Sequence, residues 1–219
     1  MELPRADRLP VSRRVLVLAG AMAVVSAACI AVIDQPVARL VAQYEPSPLW
    51  NQGMDALEWA IGLPIFKLLV AAVLVTAMLV TAIVPRLRAH APVFMVLAGT
   101  HLVGRLAMIY LKEVTGRLRP HEWLKQGGDD TFFREGGLSF PSGHGVLFAG
   151  IVIPIVVLYP RTRPLVAVVA FVMVARVAVN DHFISDVTAA VALVLLVTWA
   201  IGWLVRPCRQ RTPARPSAS

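Results

Sequence analysis

The sequence predicts an all-α polytopic membrane protein, a six-transmembrane-helix bundle with a short interfacial helix in the first outward connection. Three observations carry that expectation. Of the 219 residues, 58% are hydrophobic and only 16% charged, with a mean hydropathy of +0.71, the composition of a membrane protein and not of a soluble domain. Six apolar runs of 16 to 22 residues recur between polar connections. The basic residues, which give a net charge of +8, sit in short clusters at the ends of those runs. They read as membrane-orienting charge and not as a contiguous nucleic-acid-binding face, so no nucleic-acid partner is expected.

Residues 1–14 carry Arg5, Arg8, Arg13 and Arg14 and precede the run 15–33, which at about 1.5 Å per residue can cross a hydrocarbon core of about 30 Å. A cleaved leader at Ser26-Ala27-Ala28-Cys29 is the competing reading. The apolar residues beyond Cys29, and Ser26 where a large aliphatic residue would stand, argue against it. In the polar connection 34–63, Trp50, Met54, Leu57 and Ile61 form one apolar stripe, the pattern of an interfacial helix with Trp50 and Trp59 at headgroup depth. The plainer alternative is a loop with scattered aromatics. Residues 64–84 form the second span, with Lys67 able to snorkel from its end, and the loop 85–91 holds Arg86, Arg88 and His90.

The third span, 92–111, carries His101, Arg105 and Met108 on one helical face with Lys112. Ionisable groups inside a span are costly and face a bundle interior or a wet cavity, so a polar groove is expected there. Residues 113–141 are the longest polar connection. The fourth span is 144–159, the basic turn 160–164 follows, and the fifth span, 165–180, holds Arg176 near its end. Residues 184–205 are the sixth, with Trp199 and Trp203 placed for an interfacial belt. The whole chain, 1–219, reads as a single membrane-embedded domain.

Orientation follows from charge. Twelve of the 21 basic residues lie in the N-terminal segment, the second-to-third and fourth-to-fifth loops and the C-terminal tail, opposed only by Glu2 and Asp7. The first connection holds Asp34, Glu45, Asp55 and Glu58 against Arg39. The basic tails 1–14 and 206–219 are therefore expected in the cytoplasm and the long connection outside. Cys29 and Cys208 then lie on opposite sides and cannot pair, and no Cys or His cluster has zinc spacing.

The stretch Ser139-Phe140-Pro141-Ser142-Gly143-His144 reads as the start of a helix built to hold an anion. Ser is a favoured N-cap, Gly lets a ligand approach the backbone, and the free N–H groups of a first turn attract phosphate. An ordinary capped helix start would look the same. With six alternating spans, however, Lys112, Arg119, Ser142, His144, Arg176, His182 and Asp186 all fall at one membrane face. His182 and Asp186, four apart, share a helix face if the last helix begins near His182, so Asp186 can accept from one imidazole nitrogen and leave the other as a lone-pair bearer.

In order and spacing, Lys112-x6-Arg119-Pro120, Pro141-Ser142-Gly143-His144 and Arg176-x5-His182-x3-Asp186 resemble the three-part signature of the type 2 phosphatidic acid phosphatase superfamily, in its integral-membrane lipid phosphatase branch. The motifs span residues 112–186, and the span layout extends the similarity to most of the chain. The resemblance implies hydrolysis of a lipid phosphate monoester or diphosphate without metal or other cofactor. His182 would be the nucleophile that forms a phosphohistidine, Asp186 its orienting acid and His144 the general acid and base. Lys112, Arg119, Ser142, Gly143 and Arg176 would hold the phosphate. Candidate substrates are undecaprenyl diphosphate, phosphatidic acid, phosphatidylglycerol phosphate and a lipid A phosphate, and some relatives transfer the phosphate to another lipid. One departure is Ala175, where the family usually has Ser, which would remove one phosphate hydrogen bond.

Arg117 lies within the first motif but could face solvent, Asp181 could tune His182 or cap a turn, and His101 and Arg105 could line a path for the lipid head or buttress Asp186. The compact, Ala-, Arg- and Val-rich chain looks bacterial, which places it in an inner membrane with the site on the extracytoplasmic side. The competing classes are a small transporter, a lipid-binding relative without turnover, and a haem-binding bundle. The last is disfavoured because His101, His144 and His182 do not form paired axial positions.

Overall fold

A computed structural model describes residues 12–65, 68–128, 132–133 and 136–206. Most of the basic tails (residues 1–11 and 207–219), Lys67 and Cys208 lie outside the described residues. The described chain is helical apart from one isolated bridge between Arg117 and Phe133.

Each expected span coincides with a helix. Helix α1 (Arg13–Ala28) runs without a break through a π-helical turn (Cys29–Ile33) into α2 (Asp34–Val41). The sequence placed the end of this span at residue 33. The helix continues because the wider turn accommodates Pro36, which has no N–H to donate and whose ring would crowd the carbonyl four residues back. Helix α3 (Pro48–Ala60) forms where the short helix of the first connection is expected, started by Pro48 in its first turn and by Ser47, whose hydroxyl accepts from Leu49 N–H. Its stripe of Trp50, Met54, Leu57 and Ile61 packs on Leu147, Phe148, Phe171 and Val172, so the loop alternative falls away.

Helices α4 (Leu69–Ile83) and α5 (Ala91–Thr115) are joined by a 3-10 turn (Pro85–His90). Helix α5 ends at Gly116, whose left-handed φ of 54° lets its N–H close back on Lys112 O. After the short α6 (Pro120–Lys125) and a loop, α7 (Gly143–Leu158), a second 3-10 turn (Pro160–Leu165), α8 (Val166–Ala178) and α9 (Ile184–Val205) complete the bundle.

Among the described residues, three helical stretches are long and apolar enough to cross a membrane: Arg13–Val41, Pro85–Thr115 and Ile184–Val205. Leu69–Ile83 and Gly143–Leu158 are apolar but shorter. Helix α9 is central, packed against α1, α5 and α7, and α4 leans on α5. Small residues make that closeness possible. A Cβ at Gly145 of α7 would stand 2.8 Å from the Cβ of Ala190 in α9. Val15, Met108, Val146, Ala149, Val152, Val169 and Val194 fill the seam between the helices. A second aromatic cluster, Trp123, Phe132 and Phe183, covers the end of the bundle where α5 stops and α7 and α9 start.

Candidate active site

At that end, the His182 backbone N–H is held by Arg176 O at 3.2 Å and the side chain is buried. Its Nδ1 lies 3.3 Å from Asp186 Oδ2 and 3.3 Å from Ser139 Oγ. Asp186 is fully buried. Its Oδ2 accepts from Ser139 Oγ at 2.6 Å and from Phe183 N–H at 2.9 Å, and its Oδ1 accepts from Arg117 Nη1 at 2.7 Å. With Nδ1 committed as donor to this carboxylate, the lone pair resides on Nε2. Burial pushes the His182 pKa below its ordinary value, opposed by Asp186 and reinforced by the nearby Lys112 and Arg176. The ring is therefore neutral near pH 7.

Behind Asp186 stands a further layer. Arg117 has no exposed surface, and its Nη2 reaches Asp34 Oδ2 at 2.6 Å while Nη1 also reaches Ser185 Oγ at 2.5 Å. Asp34, equally buried, accepts from the Ser185 N–H at 3.1 Å and from the Ser185 hydroxyl. The guanidinium is roofed by the rings of Phe183 and Phe132, 4.3 and 4.5 Å from their centroids. The loop is tight enough here that a Cβ at Gly137 would meet the Arg117 carbonyl carbon at 2.3 Å.

In front of His182 opens a cavity of about 430 Å³ lined by Lys112, Arg119, Gly143, His144, His182, Arg105, Met108, Leu147, Glu58, Leu63 and Pro64. Both imidazoles, two of the expected cations and Gly143 thus face one space. His144, in the first turn of α7, directs Nε2 to Glu58 Oε1 of α3 at 2.8 Å. Lys112 donates to Leu138 O, and the Arg119 N–H is held by Glu122 Oε2 at 2.8 Å.

Two expected phosphate ligands sit differently. Ser142 is fully buried, does not line the cavity, and its Oγ accepts from Gly145 N–H at 3.2 Å, so it acts as the N-cap of α7. Arg176 also lies outside the cavity lining and pairs with Asp181, which faces Arg119 at 3.6 Å and His121 at 3.5 Å as well. Among the described residues the Asp181 carboxylate neither caps a turn nor bonds the His182 ring; it tethers two arginines. Ala175 is fully buried among Met54, Leu147, Phe148 and Val172, so the missing Ser hydroxyl of that position takes nothing from the cavity wall. Arg117 faces the interior and not solvent. The buttress of Asp186 is Arg117, whereas His101 packs against Gly150 of α7 and Arg105 lines the cavity. In the sequence Asp34 and Glu58 count only as orienting charge, Ser139 only as part of the stretch that opens α7, and Ser185 not at all. Only the acid at the end of an apolar run hinted at Asp34. No group of three or more His, Cys, Asp or Glu among the described residues is arranged to hold a metal ion.

The sequence profile of the PAP2 superfamily matches residues 68–211. The chain belongs to the PAP2 superfamily. A crystal structure of a transmembrane PAP2-type phosphatidylglycerolphosphate phosphatase from Bacillus subtilis is similar in fold to this PAP2 chain, with a TM-score of 0.59, 19% identity, and coverage of 93% of this chain and 100% of that one. No curated protein matches the sequence. Its apolar helices and this fold make the PAP2 chain an integral membrane protein.

Proposed function

We propose that this PAP2 protein is a membrane lipid phosphatase that works through a phosphohistidine. The observation that carries the proposal is the convergence of His182 and His144 on one cavity with Lys112, Arg119 and Gly143, with His182 oriented from behind by Asp186. The lone pair of His182 Nε2 attacks phosphorus. The P–O bond to the lipid breaks, its electron pair goes to the departing oxygen, and the proton of His144 caps it. Water then attacks the phosphohistidine, His144 takes the water's proton, and inorganic phosphate leaves with His182 restored. Lys112, Arg119 and the Gly143 N–H stabilise charge that grows on the phosphoryl oxygens, so the required positive charge is available from side chains and backbone. Ser142 and Arg176 support this arrangement from one step behind.

In this reading the shorter helices α4, α7 and α8 cross the bilayer beside the three long stretches, giving six spans, both termini are cytoplasmic, and the cavity opens toward the outer face of a bacterial inner membrane. The lipid tails stay in the bilayer while the head enters between helices. The name of the B. subtilis relative makes phosphatidylglycerol phosphate one candidate, beside phosphatidic acid, undecaprenyl diphosphate and a lipid A phosphate. The test is phosphate release from such a panel by detergent-purified protein in EDTA. Turnover is expected to survive chelation, to fall at least about 100-fold in His182→Ala and in His144→Ala, and to be inhibited by vanadate. Activity that needs a divalent ion and tolerates both substitutions would overturn the assignment.

A further inference from the structure

The cavity extends well past the reacting histidines. Lys112 and Arg105 both line it, and they lie seven residues apart on α5, about 10 Å along the helix axis. Beside Lys112, Arg119, the two histidines and Gly143, the lining includes the apolar Leu63, Pro64, Met108 and Leu147. Arg105 stands among these residues, three positions before Met108 on α5. It is half-buried on an apolar helix and has no hydrogen-bonding or ion-pairing partner among the described residues. The cavity's carboxylate, Glu58, is engaged by His144. A guanidinium held in low dielectric without a counter-charge is costly, and the fixed fork of its donors matches a phosphate group.

The transferred phosphoryl group must lie against His182, Lys112 and Arg119. Its leaving oxygen faces His144, and the atoms beyond that oxygen occupy the remainder of the same cavity, which Arg105 lines. We propose that Arg105 selects substrate by binding a second phosphate, one that stands between the reacting phosphoryl group and the lipid tails. This rests on the phosphatase reading and sharpens it. The preferred lipids carry two phosphates, either a diphosphate, where a single bridging oxygen separates them, or a phosphodiester-linked head with a terminal phosphate, where a glycerol does. A lipid with a single phosphate leaves Arg105 unpaired.

The experiment compares kcat/KM of the purified wild-type protein, Arg105→Gln and Arg105→Lys on a polyprenyl diphosphate, the matching polyprenyl monophosphate, phosphatidylglycerol phosphate and phosphatidic acid. The wild type is expected to favour one or both two-phosphate lipids. In Arg105→Gln the ratio of two-phosphate to one-phosphate kcat/KM should fall about 10- to 100-fold, mainly through KM, the size expected for losing a hydrogen-bonded charge pair. Arg105→Lys should recover part of it. Whichever two-phosphate lipid shows the drop identifies the spacing. An equal loss on all four substrates would mean that Arg105 serves the reacting phosphate, and an unchanged ratio that it serves none; either overturns the inference while leaving the phosphatase reading intact. Release of phosphate from none of the four by the wild type would sink both.

Discussion

The two imidazoles that line the cavity are held in opposite ways. His182 is backed by three layers of buried polar groups: Asp186 and Ser139, then Arg117, then Asp34 and Ser185, drawn from α2, the α5–α7 connection and α9. Among the described residues His144 has a single side-chain hydrogen-bond partner, Glu58, and both of those side chains are partly exposed. The difference matches the proposed tasks. A nucleophile needs one fixed nitrogen aimed at phosphorus, and a fully satisfied network provides that. A group that gives a proton to one atom and takes one from another needs access to both, which a lone contact at the open side permits.

The sharpest way to break this contrast is Arg117→Met. It leaves the carboxylates of Asp34 and Asp186 buried without their cation, and a buried pair deprived of one partner typically loses about 3–5 kcal/mol. The expected outcome is a large drop in the thermal midpoint in detergent together with loss of phosphate release. Arg117→Met that unfolds at the wild-type temperature would show that the layers behind Asp186 carry no weight. Ser139→Ala comes next. It removes one donor to a charged acceptor, an interaction worth about 1.5–3 kcal/mol, and kcat should fall roughly 10- to 100-fold with little change in KM, since the ground-state phosphate does not touch this hydroxyl.

On the other side of the cavity, Glu58→Gln keeps a hydrogen-bonding side chain but removes the charge beside His144. Because that contact is partly exposed and single, the expected cost in kcat is smaller, about 3- to 10-fold, with the melting temperature within error of wild type. A loss as large as that of Ser139→Ala would put the two histidines on equal footing and dissolve the contrast.

The unequal support also explains what could be read from sequence. The helices of the six apolar runs were legible because polar connections set off runs of 16 to 22 residues, and the three motifs were legible because their spacing brings Lys112, His144 and His182 to the same end of alternating helices. The network behind Asp186 was not. Asp34 follows an apolar run and counts as the first residue of a polar loop in any local reading; only the π-helical turn that carries the helix on past Pro36 turns it inward. Arg117 has the composition of a surface residue until four aromatic rings from distant segments close over it. Ser142 is legible as an N-cap or as a ligand, and which it is depends on whether Gly145 N–H or the cavity lies in front of it. Glu58 reaches His144 from a helix eighty-six residues away, and no periodicity encodes that meeting.

The smallest expected effect concerns acid stability, where the buried histidine should again stand apart. In the unfolded chain His182 takes up a proton as pH falls through about 6.5; in the folded protein burial lowers its pKa, so it stays neutral over the upper part of that range. The unfolded state then binds more protons, and stability contributed by this site is constant above that window and declines as pH drops below it, by at most about 1.4 kcal/mol per pH unit for one group. His182→Gln retains a donor for Asp186 but cannot titrate. Thermal midpoints of wild type and His182→Gln, measured in detergent from pH 7.5 down to 5, should therefore run parallel above about 6.5 and converge or cross below it. Parallel curves throughout would mean that His182 takes up its proton as easily folded as unfolded. A ring that did so would also lose its nucleophilic lone pair as pH fell through its ordinary range, and the acid limb of kcat/KM, expected below 6.5 in the wild type, would move up to meet it.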